Sequence, residues 1–191
     1  MIAESSPITP EQLLRMPDGD AYELVGGKLK ERGVGYKSGR VSATLLFLLS
    51  QYVYQHELGR VANADASFQC YLDEPGKVRR PDISYLCFAT LPPDQEPTGH
   101  CRVPPDLAVE VNSPNDIFEE VAQKAAEYLA AGTKLVWVVD PATQMVYVYW
   151  PGGGRILTNR DELNGEAILP GFACHVSDLF VIGPARSSSS K

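Results

Sequence analysis

Pro105-Asp106-Leu107-Ala108-Val109-Glu110-Val111-Asn112 is the stretch on which the reading of this chain turns. Leu107, Val109 and Val111 alternate with Ala108, Glu110 and Asn112. Side chains two apart share a face of a strand, so Glu110 and Asn112 point one way and the three aliphatics the other. The small, apolar Ala108 beside Glu110 makes the second face a covered one too. An unpaired carboxylate there costs on the order of several kcal/mol. Glu110 therefore needs a cationic partner or a bound cation.

The flanking sequence supplies candidates. Ser113-Pro114-Asn115-Asp116 has a hydroxyl, a proline and an acid in the order of a helix start, and Gly132 is a stop signal. A helix is predicted over 113–131. Ile117, Phe118, Val121, Ala125, Tyr128 and Leu129 form its apolar stripe. Lys124 lies at the edge of that stripe, where its stem can be buried while the ammonium reaches the strand ends. Upstream, Arg80 to Phe88 reads as a strand opening on Asp82. An Asp, a Glu and a Lys converging from two strands and a helix would form a site for a hard divalent cation with a basic partner.

Further blocks accompany these: Pro81-Asp82, Lys124-x-x-x-Tyr128-x-x-x-Gly132, and Val136-Trp137-Val138-Val139-Asp140-Pro141. Tyr22-Glu23-Leu24-Val25-x-Gly27 stands near the start and Leu169-Pro170-Gly171-Phe172 near the end. Together they resemble the Uma-two family of restriction-endonuclease-like proteins, within the PD-(D/E)XK nuclease superfamily, over roughly Thr9 to Ile182. The resemblance implies an α/β fold: a restriction-endonuclease-like core whose mixed, twisted sheet is flanked by helices. It implies a Mg²⁺-dependent (or Mn²⁺-dependent) endonuclease with DNA as substrate, Asp82 and Glu110 as metal-binding acids and Lys124 as the catalytic lysine. A homodimer is expected on the same ground, since such enzymes cut both strands. The chain departs from the pattern twice. Asn112 stands where the superfamily usually places its lysine, which fits a lysine moved to the following helix. Ser38 stands near a position where the family often carries histidine.

Within that reading the Val111 carbonyl is a further metal ligand, and Glu23, Gln69 and Asn112 are accessory candidates. Glu23, on a hairpin turning at Gly26-Gly27, would approach the metal or accept from the lysine. Two other readings stand beside it: a non-catalytic interaction protein on a degenerate nuclease scaffold, and a metal-dependent phosphodiesterase acting on RNA or a small phosphodiester.

Composition sets bounds. The 191 residues suit one domain over 9–183, with a flexible 1–8 and a disordered serine-rich 184–191. Hydrophobic content of 44% excludes a mainly disordered chain. A net charge of −7 argues against DNA binding by the whole surface. A local basic groove would draw on Arg32, Lys37, Arg40, Lys77, Arg79 and Arg80. The four cysteines lack metal-ligand spacing and read as reduced thiols of a cytoplasmic protein, with Cys70 and Cys87 inside strands. No leader or membrane-crossing run is read. His56, His100 and His175 form no metal or triad pattern, and His100 falls in a predicted exposed loop over 89–104. Further strands are expected over 67–72, 155–157 and 167–169, and a long helix over 38–58.

Overall fold

The computed structural model describes residues 7–33, 35–114 and 116–181. Asn115, the Phe118 side chain, residues 1–6 of the segment expected to be flexible, the serine-rich tail and the domain limit at 183 lie outside the described residues. The chain opens with α1 (Pro10–Arg15), whose Thr9 and Gln12 form the expected reciprocal cap. The hairpin β1 (Tyr22–Val25) and β2 (Lys28–Glu31) turns through Gly26 and Gly27 at positive φ. Then come α2 (Tyr36–Gln55), β3 (Gly59–Asn63), β4 (Ile83–Cys87), β5 (Leu107–Val111) and α3 (Phe118–Ala130). β6 (Leu135–Asp140), β7 (Met145–Trp150), β8 (Gly153–Leu157), β9 (Glu162–Gly165) and β10 (Leu169–His175) complete the order.

Strands β3 to β8 form one six-stranded sheet in sequence order, antiparallel except for the parallel pair β5 and β6. Parallel neighbours need a crossover, and α3 provides it. The alternation on β5 divides the core as predicted. Leu107, Val109 and Val111 pack with Val41, Leu45, Leu49 and Val53 of α2 and with Trp137 and Phe172. Ala108 faces the other way, with Val136, Val138, Ala125 and Tyr128. Each fully buried aliphatic side chain contributes roughly 1.5–3 kcal/mol, so both layers clamp β5 firmly.

Four local expectations fail for physical reasons. The α3 helix begins at Phe118 rather than Ser113. The Ser113 hydroxyl is engaged with Ser38 Oγ (3.1 Å), and Asp116 folds back to accept the Ser113 amide (2.7 Å). The motif is therefore a turn that precedes the helix. Residues 67–72 make no named strand; Phe68 forms isolated bridges to Arg79 and Cys101, and Cys70 lies beside them. His100 is buried, its ring between the Ser67 hydroxyl and the Pro10 carbonyl, and Leu91 and Cys101 of the same loop are also buried. Of the short strand expected over 167–169, Ala167 and Ile168 lie in a turn and only Leu169 belongs to a strand, β10, which runs to His175 and pairs with β9. No described helix is long and apolar enough to cross a membrane.

Candidate active site

Strands β4 and β5 pair Ile83 with Val109 and Ser84 with Ala108. One further step sets Asp82 opposite Glu110, and opposed residues of an antiparallel pair share a face. That face is the one α3 covers. The helix places Lys124 and Tyr128 one turn apart on the same side, and both reach Glu110. Tyr128 donates its hydroxyl to Glu110 Oε1 at 2.8 Å, and Lys124 Nζ lies 2.8 Å from the carboxylate. The partner that β5 required is therefore supplied by the next helix.

Lys124 has a second carboxylate. Glu23, from β1, lies 2.9 Å from Nζ. Its Oε2 accepts from Arg79 at 2.9 Å and its Oε1 from the Arg80 amide at 2.8 Å. Arg79 continues to Glu127 at 2.7 Å, and Lys77 joins Glu127 (3.2 Å) and Glu74 (2.8 Å). Asp82 is tied less tightly. Its Oδ2 accepts the Val111 amide at 2.7 Å, while Oδ1 has only a 3.5 Å approach from Arg32.

The electrostatics follow from these contacts. Burial raises the Glu110 carboxyl above the ordinary range, against the pull of Lys124. Burial likewise raises Asp82, against the Val111 amide, Lys124 and Arg32. Glu23 is also buried, yet Lys124 and Arg79 outweigh the desolvation and hold it low. Burial alone would lower Lys124, but Glu110 and Glu23 raise it, so the group stays an ammonium. A proton-holding lysine can donate to a water or a phosphate oxygen; it is not poised to remove a proton.

The cleft wall holds Asp82, Glu110, Lys124, Glu23, Asn112 and Val111, six of the seven candidate positions. Gln69 is not on it: its amide nitrogen is spent on the Pro75 carbonyl at 2.7 Å. The expected basic groove is also corrected. Lys77, Arg79 and Arg80 are buried, the first two in carboxylate pairs and the third on backbone carbonyls, so they serve as internal ties. Sequence reasoning placed Tyr128 only in an apolar stripe. Its spacing of four from Lys124 was the available signal that both would meet Glu110.

Oxygen ligands for a cation are present. Among the described residues Asp82 Oδ1 has only the 3.5 Å approach of Arg32, and Asn112 Oδ1 is buried with no hydrogen-bond partner. Among the described residues no three His, Cys, Asp or Glu side chains gather as a metal cluster. The set is therefore two carboxylates supplemented by amide and backbone oxygens, which suits a hard cation that keeps several waters.

Comparison with known proteins gives three findings. The Uma2 family model, described as "putative restriction endonuclease", matches residues 10–177. No curated protein matches the chain. A crystal structure described as "a putative nuclease belonging to DUF820" from Anabaena variabilis superposes with a TM-score of 0.77 at 21% identity, covering 91% of this chain and 98% of that one. At that identity the likeness speaks for the fold.

Proposed function

Because the chain belongs to the Uma2 family of restriction-endonuclease-like proteins, we propose that it is a Mg²⁺- or Mn²⁺-dependent endonuclease hydrolysing DNA phosphodiester bonds. The observation that carries this is the register of β4 and β5, which sets Asp82 opposite Glu110 while Lys124 bridges from α3. Asp82, Glu110 and the Val111 carbonyl would hold the cation, with Asn112 Oδ1 as a spare oxygen on the same cleft wall. A divalent cation bound there supplies charge neutralisation for the phosphate and lowers the pKa of a bound water.

The protein's own groups divide the remaining work. Lys124 donates to the attacking water or to a non-bridging phosphate oxygen, held in place by Glu23 when Glu110 is shared. Tyr128 fixes the Glu110 carboxylate. Arg32 stands at the cleft edge, within reach of a phosphate. Attack by water at phosphorus breaks one P–O bond and leaves a phosphomonoester and a hydroxyl. Pairing of two copies is part of the reading, since both strands must be cut.

One feature favours the non-catalytic alternative: Lys124 is engaged by two carboxylates, Glu110 and Glu23. Cleavage assays separate the two. Wild type should cut DNA in Mg²⁺ or Mn²⁺ and not in chelator. Lys124→Ala should lose at least 100-fold in kcat, roughly the worth of a positioned proton donor. It should also lose about 3–5 kcal/mol of stability, the usual cost of leaving buried carboxylates unpaired. Normal turnover by a folded Lys124→Ala protein would remove the lysine from the mechanism. Cleavage of RNA alone would move the substrate to the third reading.

A further inference from the structure

The catalytic cleft opens into a second recess that shares Arg32, Asp82, Val111 and Ser113 with it. The recess runs along the first turns of α2, past Ser38, Gly39 and Ser42, with Ala64 on its far side. The two walls differ in charge. The cleft is dense in charge, with six carboxylates (Glu23, Glu31, Asp82, Glu110, Asp116 and Glu120) and five cations (Lys30, Arg32, Arg79, Arg80 and Lys124). The recess has Asp82 alone, and otherwise presents glycines, hydroxyls and Arg32.

The surrounding field points the same way. From Arg32 to His56 the sequence contains no acid. Lys37 and Arg40, on the first turns of α2, bond only to neutral backbone carbonyls: Lys37 to Pro141, Arg40 to Phe180 and Val181. Among the described residues neither has a carboxylate partner, unlike Lys77 and Arg79, so both add positive charge to these turns of α2, although neither lines the recess itself. A polyanion leaving the cut phosphate meets Glu31 and Asp116 in one direction, Glu120 being paired with Lys30, and in the other a small-residue channel whose lining cation is Arg32. We propose that the DNA strand flanking the cut phosphate lies in this recess, its next phosphate beside Arg32 and its sugar–phosphate backbone against Gly39 and Ser42. The proposal rests on the nuclease reading above and adds the path of the substrate.

Gly39 makes the test clean. A Cβ at that position meets nothing within 4 Å, and replacing glycine inside a helix improves its propensity. Gly39→Glu and Gly39→Lys should both fold and melt no lower than wild type. Steady-state cleavage of a DNA duplex in Mn²⁺ is the readout. Gly39→Glu should raise KM at least tenfold with kcat little changed, the signature of lost substrate binding; Gly39→Lys should lower KM. Equal KM values for both variants and an active wild type would overturn the path while leaving the nuclease reading intact. An inactive wild type would overturn both. The same opposed KM shifts on RNA, with DNA uncut, would reassign the recess to an RNA strand and overturn the DNA assignment.

Discussion

Asp82 and Glu23 are both acids of one cleft wall, and their surroundings push them in opposite directions. Glu23 is held low by Lys124 and Arg79 after burial is overcome. Asp82 is raised, with burial the largest cause. A carboxyl raised on folding binds its proton more tightly in the folded state, so its ionised form destabilises the fold as pH rises. In chelator, Asp82→Asn should therefore melt a few degrees above wild type at pH 8. The gain should narrow as the pH falls and wild type takes up the proton itself. A melting scan in which the variant is less stable at pH 8 would contradict this account of Asp82. At this scale the sequence shows that Glu110 needs a partner, because period-two alternation fixes its face. It does not show where a cation goes. Arg79 is tied to Glu127, 48 residues away in the chain, and only the fold brings the two together. For that reason Lys77, Arg79 and Arg80 look like a surface groove in the sequence and are buried ties in the protein.

The unit formed by β5, α3 and β6 carries the site, and its ends decide how well the site is held. Gly132 closes α3 at φ +108°, and its amide reaches the Leu129 carbonyl (3.1 Å) as the chain turns into β6. A side chain there is strained, and Pro104 leaves little slack at 3.4 Å. Gly132→Ala should cost about 1–2 kcal/mol in denaturant unfolding, with metal affinity within twofold of wild type. A neutral substitution would mean that the turn relaxes and the stop is not demanding. Helix stops, hairpin turns and the strand alternation are legible because local chemistry sets them. The start of α3 is not: Ser113 has the residue type of a cap, but the hydroxyl of Ser38, 75 residues distant, claims it. The full length of β10 is not legible either: Pro170 and Gly171 interrupt the alternation, and the pairing with β9 skips register there.

Across the whole molecule, net charge −7 and a cleft rich in carboxylates make the protein a poor general polyanion binder. A cation that binds only the folded state would stabilise it by RT ln(1 + [L]/Kd), about 2.7 kcal/mol at 100 times Kd. The family and fold were legible because the matching blocks run through most of the chain; the cleft's balance between acids and buried cations was not, since it depends on which charges meet. The central claim is that a divalent cation is held between Asp82 and Glu110. The most direct test is calorimetric titration of Mn²⁺ into wild type and Glu110→Ala, with thermal melting in parallel. The account predicts one binding event and a rise in Tm of several degrees for wild type, both absent in a folded Glu110→Ala protein. Equal binding by the two proteins would place the metal elsewhere and contradict the site.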